Sequence, residues 1–370
     1  MVGTARAQSR SDSDEIDLPL TVSVASVGDL PMDIETLDSR SVSDDQVEKY
    51  RAFVAEMVAE RTPDESPYPL GAAEAELRQP PSYWAVKLLV VTDGPAWVAV
   101  ARVVASATDP KGLRLDLGVL PSHRRRGTAS SLLRRVLDLA EADGRELLAA
   151  DAFGPVPAGA AFARWLGAEA GLENHVNRLP LADVDREMVK SWIADGPRRA
   201  PGYELVGFDG RCPEELVEPM AAVIDAMSDA PQDPAAAPRL EITPEIYRIY
   251  EESLLVGGLE LWTLLALESG TGGAAGGTDV RWKPHQPEQM EQGITVVLRQ
   301  HRGHALGKWL KAAMLQRILE ERPGVKQILT ANADSNAAML GINTELGYRP
   351  YLASNTWHVS VAAAREALNR

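Results

Sequence analysis

Three features of the 370-residue sequence predict an α/β fold with a mixed (α+β) sheet, built as two similar halves in tandem. One stretch, in which a strand enters a short basic turn and then an amphipathic helix, occurs twice. The elements that follow it repeat in the same order in both copies. The length is long for a single domain and comfortable for two, each large enough to bury its own core.

The second copy is the sharper one. Thr295, Val296, Val297 and Leu298 form an apolar, β-branched run that reads as a buried strand. The turn Gln300-His301-Arg302-Gly303-His304-Ala305 follows, and then a helix begun by Leu306, Gly307 and Lys308. Gly303, Ala305 and Gly307 are small where a backbone must come close to something. A helix N-terminus presents unpaired N–H groups with the helix dipole behind them, so this corner suits an anion, and its basic side chains favour a phosphate. A tight αβ corner would also explain the glycines of one copy alone. The first copy repeats the design: a strand with Leu117 and Val119, a turn with Arg124, Arg125, Arg126, Gly127, Thr128 and Ala129, and a helix with Leu132, Leu133, Val136 and Leu137 apolar. Arg124/Gly127/Ala129 and Gln300/Gly303/Ala305 share the pattern Q/R-x-x-G-x-G/A at a constant spacing of 176 residues. Further on, Leu166-Gly167 and Leu346-Gly347 are 180 apart, which implies a four-residue insertion between. Matched spacing argues for an internal duplication.

In chain order, residues 1–19 read as a polar, disordered leader. Residues 20–182 form the N-terminal domain. Its first strand is expected over Leu20–Val27, and a helix capped by Ser43 or Asp44 runs on through Val58. A second helix covers Ala72–Arg78, and Tyr83–Val91 pairs with Ala96–Ser106 across Thr92-Asp93-Gly94-Pro95. The cradle strand, its helix and the later elements complete a βααβββαβαβ order that closes at Asn174–Leu181. Residues 183–202 are the linker, with a polar helix to Trp192 and a hinge over Gly196–Gly202. The order then restarts over residues 203–370. There Gly270–Gly277 is read as a flexible surface turn, because no helix follows it to make a phosphate loop.

A formal net charge of −15 disfavours nonspecific binding to nucleic acid or anionic membrane. The lone Cys212 excludes an intramolecular disulfide framework and fits a reducing compartment. No apolar run approaches transmembrane length and the start lacks a secretory apolar region, so a cytoplasmic location is expected. His301 and His304 have no third ligand at usable spacing, so no metal is expected.

The two Q/R-x-x-G-x-G/A turns, together with the segment Asn332-Ala333-Asp334-Ser335-Asn336, Asn343 and Leu346-Gly347-Tyr348, resemble the GNAT superfamily of acyl-CoA N-acyltransferases. The layout is similar to that of mycothiol-synthase-like tandem members, although nothing ties the chain to their substrate. The resemblance implies two tandem GNAT-like domains and a cofactor, acetyl-CoA or another acyl-CoA. Backbone amides of both turns would hold its pyrophosphate, the strands at Leu117–Val119 and Thr295–Val297 its pantetheine, and Asn332 and Asn336 its amides. Basic side chains of the turns would add charge. The activity implied is N-acetyl or other acyl transfer to an amine of a small-molecule acceptor, by direct attack.

Such transfer needs a neutral amine, a donor to the oxyanion and a proton for the departing thiolate. Glu291 is the first candidate base, with Asp116 its rough counterpart in the first half. Many family members carry a tyrosine where this chain has Asn343 in the second copy and Ala163 in the first. Asn343 can hydrogen-bond a sulfur but has no acidic proton. Tyr348 and Tyr351 lie nearby, and the acid is left unassigned. Asn336 and Asn343 face Val156 and Ala163 in the first copy, so the C-terminal half is expected to be catalytic and the N-terminal half degenerate or scaffold. Two alternatives remain: an aminoacyl-tRNA-dependent transferase of the same fold, and a non-catalytic CoA-binding regulator. A monomer or homodimer fits either.

Overall fold

A computed structural model describes residues 33–65, 67–229, 241–255, 259–333 and 337–370. The expected leader and the strand over Leu20–Val27 lie outside these residues. The first half runs β1 (Ile34–Asp38), α1 (Asp44–Arg61), α2 (Leu70–Arg78), β2 (Trp84–Asp93), β3 (Ala96–Ser106), β4 (Asp109–Val119), α3 (Thr128–Ala142), β5 (Leu147–Phe153), α4 (Pro157–Trp165) and β6 (Glu169–Pro180). Helix α5 (Arg186–Arg199) leads to the second: β7 (Tyr203–Asp209), α6 (Val217–Asp225), α7 (Pro244–Leu255), β8 (Glu260–Glu268), β9 (Ala274–Trp282), β10 (Gln289–Val297), α8 (Leu306–Glu321), β11 (Gln327–Ala333), α9 (Ala337–Leu346), β12 (Arg349–Ser360) and finally α10 (Val361–Leu368). Both halves have the expected βααβββαβαβ order. Ser43 starts α1 with a full capping box, its side chain accepting from the Gln46 amide while Gln46 returns the bond.

The twelve strands of the described residues join one sheet in the order β1-β2-β3-β4-β5-β12-β6-β11-β10-β9-β8-β7. The centre of that order is an exchange. Strand β12 lies antiparallel to β5 of the first half, with Trp357 opposite Ala150, while β6 lies antiparallel to β11 of the second. The helices follow their strands. Helix α10 packs on α3, where Ala364 and Leu368 join the core around Leu133 and Leu137 and Arg365 bonds Asp138 and Glu141. Helix α5 packs on α8, and Val189 shares a core with Met290 and Met314. Each half is therefore closed by the last strand and helix of the other.

Two sequence expectations are corrected. The hinge over Gly196–Gly202 is largely helix, because α5 continues through Gly196 and Pro197 to Arg199. Gly196 is buried beneath Trp309, and a Cβ there would stand 2.4 Å from the indole, so this glycine allows two helices to approach. Likewise, the glycine-rich turn ends early. Strand β9 begins at Ala274 and takes in Gly276 and Gly277. A Cβ at Gly276 would stand 2.5 Å from the Val296 carbonyl oxygen, so close strand packing, not flexibility, accounts for it. Among the described residues no helix is long and apolar enough to cross a membrane.

Candidate active site

In each half a parallel strand pair opens just before the basic turn. Strand β4 pairs with β5 over Gly112–Arg114 and Leu147–Ala149, then parts from it and runs on beside β3 to Val119. Strand β10 pairs with β11 over Gln289–Gln292 and Gln327–Thr330, then parts from it. Beyond each fork the chain makes a short 3-10 turn and starts a long helix. Neither α3 nor α8 has a side-chain cap, so the first-turn amides at Gly127 and Ala305 are left for another acceptor. A Cβ at Gly127 or Gly303 would meet no heavy atom within 4 Å, so both turns face open space. The geometry fits a phosphate group at each.

The structure moves the register of the repeat. The 3-10 turns are Pro121–His123 and Arg299–His301, and the helices begin at Thr128 and Leu306. Arg124 Nε donates to the Val119 carbonyl at 2.8 Å, and Arg302 Nε to the Val297 carbonyl at 3.1 Å. Positive φ angles occur at Arg125 (62°) and Gly127 (81°), then at Gly303 (88°) and Ala305 (60°). Every one of these pairs is 178 residues apart, so Arg302 matches Arg124 and Ala305 matches Gly127. The spacing of 176 came from setting glycine on glycine, and the insertion downstream is two residues, not four.

The basic side chains are mostly engaged. Arg124 donates to both oxygens of Glu60, at 2.7 Å to one, which fixes the turn to α1 and neutralises its charge. Arg126 donates to the Ser122 carbonyl, and Lys308 pairs with Glu345 while lying over the Trp192 ring. His301 shares a 2.9 Å hydrogen bond with the Tyr203 hydroxyl, and no metal-binding cluster occurs among the described residues. Arg125 stays exposed on the turn.

A cavity of about 1500 Å³ joins the first fork to its turn. Leu117, Val119, Phe153 and Val156 line the fork, and Arg125, Gly127, Thr128 and Ala129 the turn. Its far wall includes Lys283 and His285 from the β9–β10 connection of the other half and Glu291 from the start of β10, and His285 packs against Gly71 of α2. Thus Asp116 and Glu291, named from different halves, face one cavity. Asp116 is bonded by Arg102 at 3.0 Å, and Glu291 by Lys283 at 2.7 Å. Strand register corrects their relation. Arg102 is opposite Asp116 and Arg281 opposite Glu291, but counting back from the forks, which end at Arg114 and Gln292, makes Leu113 the counterpart of Glu291.

Of Glu291, Asn343 and Tyr348, the candidates in the second copy, Glu291 alone lines this cavity. Asn343 is buried in α9. Tyr348 packs in the second half's core, where burial raises its phenol and the Lys311 ammonium lies 5.2 Å from its ring. Lys311 is itself buried and pulled down to about 7 by desolvation. The side chain of Asn332, and Asn336 altogether, lie outside what is described. Cys212 is buried, its thiol pushed up to about 11, which suits packing rather than attack.

Sequence reasoning missed Asp279, because β9 was not recognised. Its carboxyl is 1% exposed, and the Arg281 Nε is 3.7 Å away. Burial pushes its pKa up to about 6, opposed by Arg281 and by the Ile294 amide. It abuts Gly293, at a bulge where β10 shifts register between Gln292 and Thr295.

Residues 48–168 match the acetyltransferase (GNAT) family model. The whole chain is similar to a tandem GNAT protein from the clavulanic acid biosynthesis pathway, at 29% identity and a TM-score of 0.73, covering 89% of this chain and 99% of that one. The chain is built as two GNAT-like halves in tandem. A GCN5-related N-acetyltransferase from Sphaerobacter thermophilus shares the fold at 15% identity and a TM-score of 0.61, covering 90% of this chain and 97% of that one. An acetyltransferase structure from Pyrococcus horikoshii does so at 13% and 0.51, covering 91% and 92%. No curated protein gives a significant match. The family match spans the first fork, turn and helix, the region that also lines the cavity.

Proposed function

We propose that this GNAT protein transfers an acyl group from acetyl-CoA or another acyl-CoA to the amine of a small molecule, in the cavity between the halves. The observation that carries this reading is the continuity of that cavity, from the uncapped α3 turn along the β4–β5 fork to Asp116 and Glu291. Amides of Gly127, Thr128 and Ala129 would receive the cofactor's pyrophosphate, and the unpaired edge of β4 at Leu117–Val119 its pantetheine. When bound, the cofactor supplies a thioester activated toward amines. Asp116 and Glu291 would accept the proton the amine must lose, and the apolar walls of Phe53, Met57 and Phe153 would exclude water.

A second reading puts transfer in the C-terminal half and leaves the first as a cofactor-holding scaffold. The β10 bulge favours it, because it sets backbone groups off the ladder beside Asp279, a carboxyl poised near neutrality. β4 is regular at the same point. Calorimetric titration with acetyl-CoA, combined with thiol release against an amine panel, separates the two. The first reading expects Gly127→Glu to weaken binding about 100-fold and abolish release, by setting a carboxylate against the phosphate site. The second expects release to survive Gly127→Glu and to be lost in Ala305→Glu. Absence of acetyl-CoA binding by the parent chain would overturn both.

A further inference from the structure

Arg61, the last residue of α1, is the cavity's anomalous cation. Its guanidinium carbon lies 4.3 Å from the centre of the Phe153 ring, at the end of β5. Its Nε is buried, and among the described residues it has neither a hydrogen-bond acceptor nor a carboxylate within 4.0 Å. Three other cations that line the cavity are matched: Arg102 with Asp116, Arg124 with Glu60 and Lys283 with Glu291. The acids whose fields reach Arg61 are Glu65, Asp116 and Glu76, none of them in contact with it. A cation suits the C-terminal end of a helix, but this guanidinium caps no carbonyl of α1, where the Thr62 hydroxyl and amide take the Val58 oxygen instead. Stacking on Phe153 leaves the edge of the guanidinium fork unused. A half-buried guanidinium without an anion is costly, and the planar anion that fits its fork is a carboxylate.

We propose that Arg61 anchors a carboxylate on the acceptor, so that the amine acylated in this cavity is an amino acid or a molecule built like one. This rests on the cavity being the acceptor site, as in the first reading above. In that arrangement Arg61 and Phe153 hold the acid group at the end of β5, while Asp116 and Glu291 face the amine. Tyr50 and Tyr68, both hydrogen-bonded to Glu76, close the α1–α2 wall.

The test uses ligands that bind without turnover. A panel of N-acetyl amino acids and the matching N-acetyl amino acid amides is titrated calorimetrically into the full chain, the Arg61→Met variant and the Arg61→Lys variant, each also titrated with acetyl-CoA. For at least one side chain the acid is expected to bind about tenfold or more tighter than its amide. That preference should vanish in Arg61→Met and partly return in Arg61→Lys, with acetyl-CoA affinity unchanged. Acids and amides that bind alike, or a preference that survives Arg61→Met, would overturn the anchor while leaving acyl-CoA binding intact. An equal loss of acetyl-CoA affinity in Arg61→Met would assign the guanidinium to the cofactor instead. Tighter binding of succinyl-CoA than acetyl-CoA that depends on Arg61 would move the carboxylate from acceptor to acyl group, again overturning the proposal. Failure of acetyl-CoA to bind the parent would be a failure of the acyltransfer reading itself.

Discussion

The two basic turns have the same backbone shape and opposite chemistry at its two demanding positions. The first turn places an arginine and then a glycine in the left-handed region, at Arg125 and Gly127, and the second a glycine and then an alanine, at Gly303 and Ala305. The shape is therefore what both copies keep, and each relieves it with glycine at only one of the two points. A similar reversal occurs at the forks. The first half sets the Arg102–Asp116 ion pair between β3 and β4 where the second has Asp279 facing Gly293 across β9 and β10. The two halves thus set different charges at matching places of one scaffold, and the family model matches the first.

The largest effect should come from separating the halves. Removing residues 349–370 strips β12 from between β5 and β6 and α10 from α3, exposing Leu133 and Leu137. We expect loss of cooperative folding in both halves, read as rapid limited proteolysis and a collapsed thermal transition. A truncated chain that melts cooperatively near the parent temperature would break the view that each half completes the other.

Asp279 supplies the next effect. With its pKa at about 6 in the folded chain and near 4 when unfolded, the native state binds more protons between those values. Its contribution to stability is fully present below about pH 4 and is lost as pH rises through about 6, by roughly 3 kcal/mol at most. Asp279→Asn should leave stability nearly unchanged at low pH and raise it by about 1–3 kcal/mol at pH 8. Urea midpoints of both chains across that range decide this, and parallel profiles would mean that Asp279 is ionised throughout.

Much of this architecture was legible before the structure. Strand–turn–helix units announce themselves by apolar periodicity, and α1 by its Ser43–Gln46 box. Strand β9 was hidden because Gly276 and Gly277 look like a loop, and only the approach of Val296 explains them. With it went Asp279, which no local pattern marks. The exchange of β6 and β12 was illegible for another reason: either strand satisfies its own alternation wherever it pairs. The repeat register was misread because glycines are visible in a sequence and φ angles are not. For the cavity, Glu291 was named on its position before a strand, but its partnership with Asp116 across halves requires the folded β9–β10 connection.

Gly196→Ala probes the contact that the linker hides. A methyl group 2.4 Å from Trp309 forces α5 away from α8, and overpacking of this kind costs about 1–3 kcal/mol. Chemical denaturation should show that loss with the acetyl-CoA affinity of the first half preserved. A neutral substitution would mean that α5 yields here as a true hinge would.

The smallest effect bears most directly on the two turns. If the left-handed pair is a shared requirement of shape, glycine should be preferred at whichever position lacks it. Ala305→Gly and Arg125→Gly each remove a Cβ from the left-handed region, where it costs roughly 1 kcal/mol, against a loss of several tenths to the freer unfolded chain. Each should therefore be neutral or stabilising by up to about 0.5–1 kcal/mol, whereas Gly303→Ala and Gly127→Ala should destabilise by about 1 kcal/mol. Arg125→Gly also removes the exposed cation of the first turn, so its acetyl-CoA affinity should fall even as the chain gains stability. Thermal midpoints and titrations on the same four variants separate shape from charge. Destabilisation by Ala305→Gly would show that the alanine methyl group makes a contact of its own, and that the second turn is more than a copy of the first.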